Sequence, residues 1–206
     1  IFGNECYKTS IKKKEPYIID VGSHIGLSVI YFKNTYPESR ILAFEPNSYT
    51  RELLKENIFI NNLKNITILP YAIDSSEGRR IFYIDTSENK WQSTAGFLEN
   101  SWNRQYNNNS SIEVETKKLS EFLNEQVDLL KIDIEGIETQ VLTEAKDLLK
   151  NVSNIVVEYH PIKKENLKKI LSILQDSGYK ISIFKDGREI KQVSNKDLLI
   201  IKGQKE

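Results

Sequence analysis

The residues best suited to chemistry stand at the ends of short apolar runs. Asp20, Gly22 and Gly26 follow Tyr17-Ile18-Ile19, and Glu45-Pro46 follows Ile41-Leu42-Ala43-Phe44. Asp133, Glu135 and Glu138 follow Leu129-Leu130-Lys131-Ile132, and Glu158 and His160 close the run Ile155-Val156-Val157. Carboxylates accept hydrogen bonds from ligand hydroxyls and amines, and either a carboxylate or an imidazole can take a proton. Each run is too short for a helix and is rich in β-branched residues, so each reads as a buried strand. In sheets of parallel strands, ligands bind beyond the carboxyl ends of the strands. That is where these side chains fall.

The first of these stretches changes period. After Gly26, Leu27, Ile30 and Tyr31 recur at helical spacing, so a strand, a glycine turn and a helix follow one another. A dinucleotide fingerprint would read Gly-x-Gly-x-x-Gly, with pyrophosphate on the helix N-terminus. Here the spacing is Asp-x-Gly-x-x-x-Gly, with His24 where the middle glycine would stand. A nicotinamide oxidoreductase is therefore disfavoured. S-adenosylmethionine has no phosphate and needs the closest backbone approach less. It needs a carboxylate near its amino group, for which Asp20 is placed, and room for its methionine tail, which Gly22 leaves. Glu45 lies 19 residues after Gly26, near the distance of about 20 at which a carboxylate receives a ribose hydroxyl pair. Its alternative role is to complement a helix dipole. The expected cofactor residues are Asp20, Gly22, Ser23, Gly26, Glu45, Pro46, Tyr71 and Ala72.

The elements that position these groups alternate. Helical patterns follow Asn47-Ser48, Gly136 and Lys163, and the strands include Asn65–Ala72, Ile81–Ile84 and a short, edge-like Ile112–Thr116. Tyr179–Phe184 and Leu198–Ile201 read as a closing antiparallel pair joined at Asp186-Gly187. Such alternation calls for a mostly parallel sheet covered on both faces. With 206 residues and no linker, one domain spanning residues 1–206 is expected, with 1–16 as a polar lead-in. Residues 85–111, which carry Trp91 and Trp102, form a long loop suited to an acceptor substrate.

Composition narrows the partners. Lys and Arg total 29, as do Asp and Glu, so binding to nucleic acid through phosphate neutralisation is disfavoured. The single cysteine, Cys6, excludes a disulfide framework and fits a cytoplasmic setting. No apolar run approaches the roughly 18 residues of a membrane span.

Ile19–Gly26, Phe44-Glu45-Pro46, Leu129–Glu138 and Val157–Pro161 together resemble the FkbM family of SAM-dependent methyltransferases. The block Lys131-Ile132-Asp133-Ile134-Glu135-Gly136-Ile137-Glu138 carries the resemblance most specifically. It implies a class I, Rossmann-like three-layer α/β sandwich with a seven-stranded sheet, order 3-2-1-4-5-7-6, and an antiparallel last strand. It also implies methylation of a hydroxyl on a saccharide or similar natural product. Two departures stand out: Ser23-His24 replaces the usual Ala-Asn, and Tyr71 rather than Asp precedes Ala72. The adenine amine would then be read by backbone or by Asp74.

Asp133, Glu135 and His160 are the candidates for a base. Asp133 could equally cap the following helix, Glu135 and Glu138 could be first-turn helix charges, and His160 could be a structural loop histidine. No metal is expected, although Asp133, Glu135, Glu158 and His160 have the donor types of a divalent-metal cluster. Two alternatives remain open, a metal-dependent O-methyltransferase and a binding module that has lost catalysis.

Overall fold

The computed structural model describes residues 6–85, 96–97, 109–162 and 165–205. Its principal sheet is built on β1 (Tyr17–Val21), all five residues of which are buried. Parallel to it lie β2 (Arg40–Phe44) on one side and β7 (Leu129–Ile132) on the other, followed outward by β3 (Ile66–Leu69) and β8 (Asn154–Tyr159). These strands read as near-continuous apolar runs because both faces of a parallel sheet are covered. With β9 (Lys180–Lys185), β10 (Arg188–Ile190) and β11 (Leu199–Gln204), the full order is β10-β9-β11-β8-β7-β1-β2-β3. Within it β11 runs antiparallel to both β8 and β9, as the resemblance implies.

Among the described residues the sheet has eight strands rather than the expected seven. The turn at Asp186-Gly187, with φ of 50° and 76°, joins β9 to the short edge strand β10, not to the last strand. Two consecutive positive φ values suit the tight primed turns that match strand twist. The chain then returns through β11 into the gap between β9 and β8.

Helices α1 (Leu27–Thr35) and α2 (Ser48–Ile60) cover one face, where Val29, Phe32 and Leu54 pack on Ile18, Ile41 and Leu129. Asn47 caps α2, its side-chain oxygen accepting the Tyr49 N–H at 3.0 Å. Helices α3 (Glu138–Ala145) and α4 (Leu167–Asp176) cover the other face, packing Val141, Leu142, Ile170 and Leu174 on Ile19, Leu130 and Val157. Among the described residues, no helix is long and apolar enough to cross a membrane.

Between β3 and β7 the strands differ from the sequence reading. The run Asn65–Ala72 is not one strand: β3 stops at Leu69, and Pro70, which has no N–H to give a ladder, interrupts it. Ala72 instead opens β4 (Ala72–Asp74), which forms a second sheet with β5 (Gly78–Asp85) and β6 (Asn109–Lys118) in the order β4-β6-β5. The alternating segment expected at an edge is the middle strand there, β6, paired antiparallel to β5 and parallel to β4. Gly96 bridges to Tyr83, and Phe97 stacks edge-on against Phe82 at 5.3 Å. Trp91 and Trp102 lie outside the described residues.

Candidate active site

The glycine turn between β1 and α1 is clamped by Glu45. One carboxylate oxygen of Glu45 accepts from the Asn47 N–H and the Thr50 hydroxyl, both at 2.9 Å. The other accepts the His24 N–H at 2.9 Å. Burial raises the pKa of Glu45, and the bonds from Thr50, Asn47 and His24 act against it. With one bond accepted at the second oxygen, a lone pair remains there for a further donor. The guanidinium of Arg51 donates to the Glu45 and Pro46 carbonyls at 2.9 and 2.8 Å, fixing the entry to α2.

Gly22 and Gly26 both have positive φ, 83° and 89°. A Cβ on Gly22 would lie 1.9 Å from the Asp133 carbonyl oxygen, so this glycine lets the turn pack against the end of β7. At Gly26 it would meet the Leu54 side chain at 2.4 Å. The position that a Gly22 Cβ would occupy is thus taken by the backbone at the end of β7. Ser23 is buried, its N–H donating to the Phe44 carbonyl at 2.9 Å and its hydroxyl to the Asp20 carbonyl at 3.0 Å.

Asp20 is placed differently from the expectation. It lies within β1, fully buried, with one oxygen bonded to the Ser28 hydroxyl at 2.6 Å and the other 3.1 Å from the Lys131 ammonium. Asp20 and Lys131 are cross-strand neighbours in the parallel register, so their side chains share a face. Lys131 also donates to the Gly22 carbonyl at 2.7 Å and stands 3.4 Å from Asp133. Burial opposes the lysine's charge, but Asp20 and Asp133 outweigh it and hold the ammonium above its usual pKa. Lys131 therefore ties the glycine turn to the acidic loop after β7. Its signal in the sequence is a charge inside an otherwise apolar strand, which is rarely buried without a partner.

That loop and the end of β8 bring the other candidates together. His160, 3% exposed, has Nδ1 2.8 Å from Glu138 and Nε2 3.5 Å from Glu135 and 3.9 Å from Asp133. Burial works against its positive charge, yet the bond to Glu138 and the charges of Glu138, Glu135 and Asp133 push its pKa up to about 10. Glu138 is fully buried in the first turn of α3 and also accepts the Gly136 N–H at 3.0 Å. Glu135 has left-handed backbone (φ 58°), uncommon outside glycine, and burial lifts its pKa to about 7 against the pull of His160. Glu158 is lifted to about 7 by burial and by Asp133. Asp133 does not cap α3, which begins at Glu138. Its carboxylate turns to Lys131 and to the Tyr7 hydroxyl at 3.5 Å. Asp133, Glu158 and His160 each offer a ligand atom within 4.8 Å of the others, so a divalent cation could be held there.

Tyr71 and Ala72 stand where the chain leaves the principal sheet. The Glu45 N–H bonds the Leu69 carbonyl at 3.1 Å, and Tyr71-Ala72 follow two residues later, Tyr71 half-buried and Ala72 buried. Asp74 is fully buried and engaged by Arg80 and by the Ser75 N–H at 2.6 Å.

A family model, the methyltransferase FkbM domain, matches residues 20–181. Methyltransferase sdnD of Sordaria araneosa is 27% identical over 88% of this chain and 80% of its own length. The 2-O-methyltransferase NoeI of Sinorhizobium fredii is 25% identical, covering 72% of this chain and 65% of its own. Among solved structures, methyltransferase FkbM from Methylobacillus flagellatus KT superposes with a TM-score of 0.61 at 14% identity. The match covers 91% of this chain and 43% of that one. The fold is that of the class I SAM methyltransferases. Carrying the family's domain over most of its length, the chain belongs to the FkbM methyltransferases.

Proposed function

We propose that the chain transfers a methyl group from S-adenosylmethionine to a hydroxyl oxygen of a saccharide or a similar polar natural product. The observation that carries this is the pairing of two features at one end of the sheet. A glycine turn clamped by Glu45 adjoins, through Lys131, a cluster of acids around His160. The name of NoeI, a 2-O-methyltransferase, supports oxygen as the acceptor atom.

For the cofactor, the residues in place fit in part. Glu45 retains a lone pair for a ribose hydroxyl, and Gly22, Ser23, Gly26 and Pro46 shape the turn beside it. Tyr71 and Ala72 would lie toward its adenine, and Asp20, fully buried, acts indirectly by holding Ser28 and Lys131. When bound, the cofactor supplies a methyl carbon activated by its sulfonium. The acceptor's hydroxyl proton would pass to a carboxylate of the cluster as its oxygen takes that methyl carbon from the sulfur. We take Glu135 as that carboxylate because it stands in the loop after β7 with an oxygen 3.5 Å from His160 Nε2, and burial brings its pKa near the operating pH at which a base works best. His160, held as an imidazolium, is a poor proton acceptor; it fixes Glu135 and Asp133 at the site. The excess of carboxylates also favours a cationic sulfonium nearby.

The test is methyl transfer from labelled S-adenosylmethionine to panels of glycans, glycolipids, peptides and nucleic acids. Label on saccharide hydroxyls is expected; label on nucleic acid alone would overturn the reading. A metal-dependent variant is favoured by the convergence of Asp133, Glu158 and His160. On the reading preferred here, chelator leaves the rate unchanged. Loss with chelator and recovery with magnesium or manganese would make those three residues ligands.

A further inference from the structure

Tyr7 lies outside residues 20–181, the span that matches the family's domain, yet it reaches the acidic cluster. Its side chain is 3% exposed. The ring packs edge-on against Tyr31 at 6.5 Å and tilted against Phe32 at 6.1 Å, and the Lys131 ammonium stands 5.7 Å from its centre. The hydroxyl is 3.1 Å from Glu158 and 3.5 Å from Asp133. The segment carrying it is tied down at intervals. Tyr36 donates to the Thr9 carbonyl at 2.6 Å, Lys202 to the Lys8 carbonyl at 3.1 Å, and Lys13 pairs with Asp128 at 2.8 Å.

We infer that this leading segment completes the acceptor side of the site, with Tyr7 as a positioning residue that sets the Glu158 and Asp133 carboxylates. The inference rests on the methyl-transfer reading for its consequence but not for its geometry. Packing against Tyr31 and Phe32 asks only for a phenyl ring, and a buried hydroxyl without a partner is costly. The hydroxyl is aimed instead between two carboxylates that repel each other, and its one proton can bond either oxygen. Lys131 approaches the same pair from the strand side, so Asp133 is held between the ammonium and the phenol. A carboxylate held in this way stays in one geometry while the acceptor enters. Facing Glu158 are Asp133, Glu135 and Lys131 from β7 and the loop after it, His160 beyond β8, and Cys6 beside Tyr7.

The test is Tyr7→Phe, which keeps the ring and removes the hydroxyl. Carbon-13 NMR of the side-chain carboxyls follows the Glu158 midpoint without acceptor or cofactor, with Glu158→Gln giving the assignment. The midpoint should rise by about half a pH unit or more, since a bond favouring the ionised form is lost. Affinity for S-adenosylhomocysteine should stay within about twofold and melting within about 3 °C, because the cofactor turn and the packing are intact. With whichever hydroxyl compound the parent methylates, kcat should fall roughly 5- to 20-fold at unchanged KM for S-adenosylmethionine. An unmoved Glu158 midpoint in Tyr7→Phe, or an unchanged kcat, would overturn the role of Tyr7. A parent that methylates nothing would overturn the methyl-transfer reading alone, and the NMR titration would still decide on Tyr7.

Discussion

At the scale of single residues, the site opposes stability and activity at one carboxylate. Glu135 has a folded pKa of about 7, above the ordinary carboxylate value, because burial disfavours its charge. Its ionisation is therefore easier in the unfolded chain, and stability is lost as pH rises from about 4.5 to about 7. Glu135→Gln removes that penalty, so at pH 8 the variant should be more stable, on the order of 2 kcal/mol by denaturant unfolding. The same change should lower kcat by about 100- to 10,000-fold if Glu135 takes the proton. A variant that is less stable at pH 8, or that keeps its rate, would contradict this account. The strand-end acids could be picked out from the sequence because each closes an apolar run. Their division of labour could not. Whether His160 accepts a proton or carries one depends on Glu138 lying 2.8 Å from Nδ1, a contact between the start of α3 and the end of β8. Nothing in the spacing of residues 138 and 160 announces it.

At the scale of elements, the glycine turn is where a change of one methyl group should tell most. Gly22→Ala must relieve a backbone contact of 1.9 Å with Asp133 and adopt a φ of 83°. The expected cost is about 3 kcal/mol or more, with loss of S-adenosylhomocysteine binding as the turn is pushed off β7. Wild-type melting and binding in this variant would contradict the packing described. The turn and the helix behind it are readable from the switch of hydrophobic period after Gly26. The small sheet is not, because Pro70 can lie inside an extended run or end it. Only the pairing of Ala72 with Thr116 in β6 settles which. Likewise Asp186-Gly187 marks a hairpin, but its partner depends on β11 pairing with β8.

At the scale of the whole molecule, the acids and His160 give the stability curve a direction. Glu135, Glu158 and Glu165 are each raised to about 7, so the folded state holds protons that the unfolded chain releases near pH 4.5. His160 is raised to about 10; the stability it adds is complete below about 6.5 and fades as pH climbs through 10. Both effects have the same sign, so the melting temperature should fall between about pH 5 and pH 9. A melting curve that rises over that range would contradict the network. The overall architecture follows from strand–helix alternation, since parallel strands must be covered on both faces. Tyr7 gave no such signal. Its segment reads as a polar surface lead-in, and its burial depends on contacts with Tyr31, Phe32 and Glu158 far along the chain.

The claim on which the rest depends is that the turn held by Glu45 binds S-adenosylmethionine. Calorimetric titration with S-adenosylhomocysteine tests it most directly, because it needs no acceptor. One-to-one binding is expected, weakened by about 30-fold or more in Glu45→Ala, which removes both the clamp on His24 and the lone pair left for ribose. No binding to the parent protein, or tight binding of a nicotinamide dinucleotide in its place, would contradict the account.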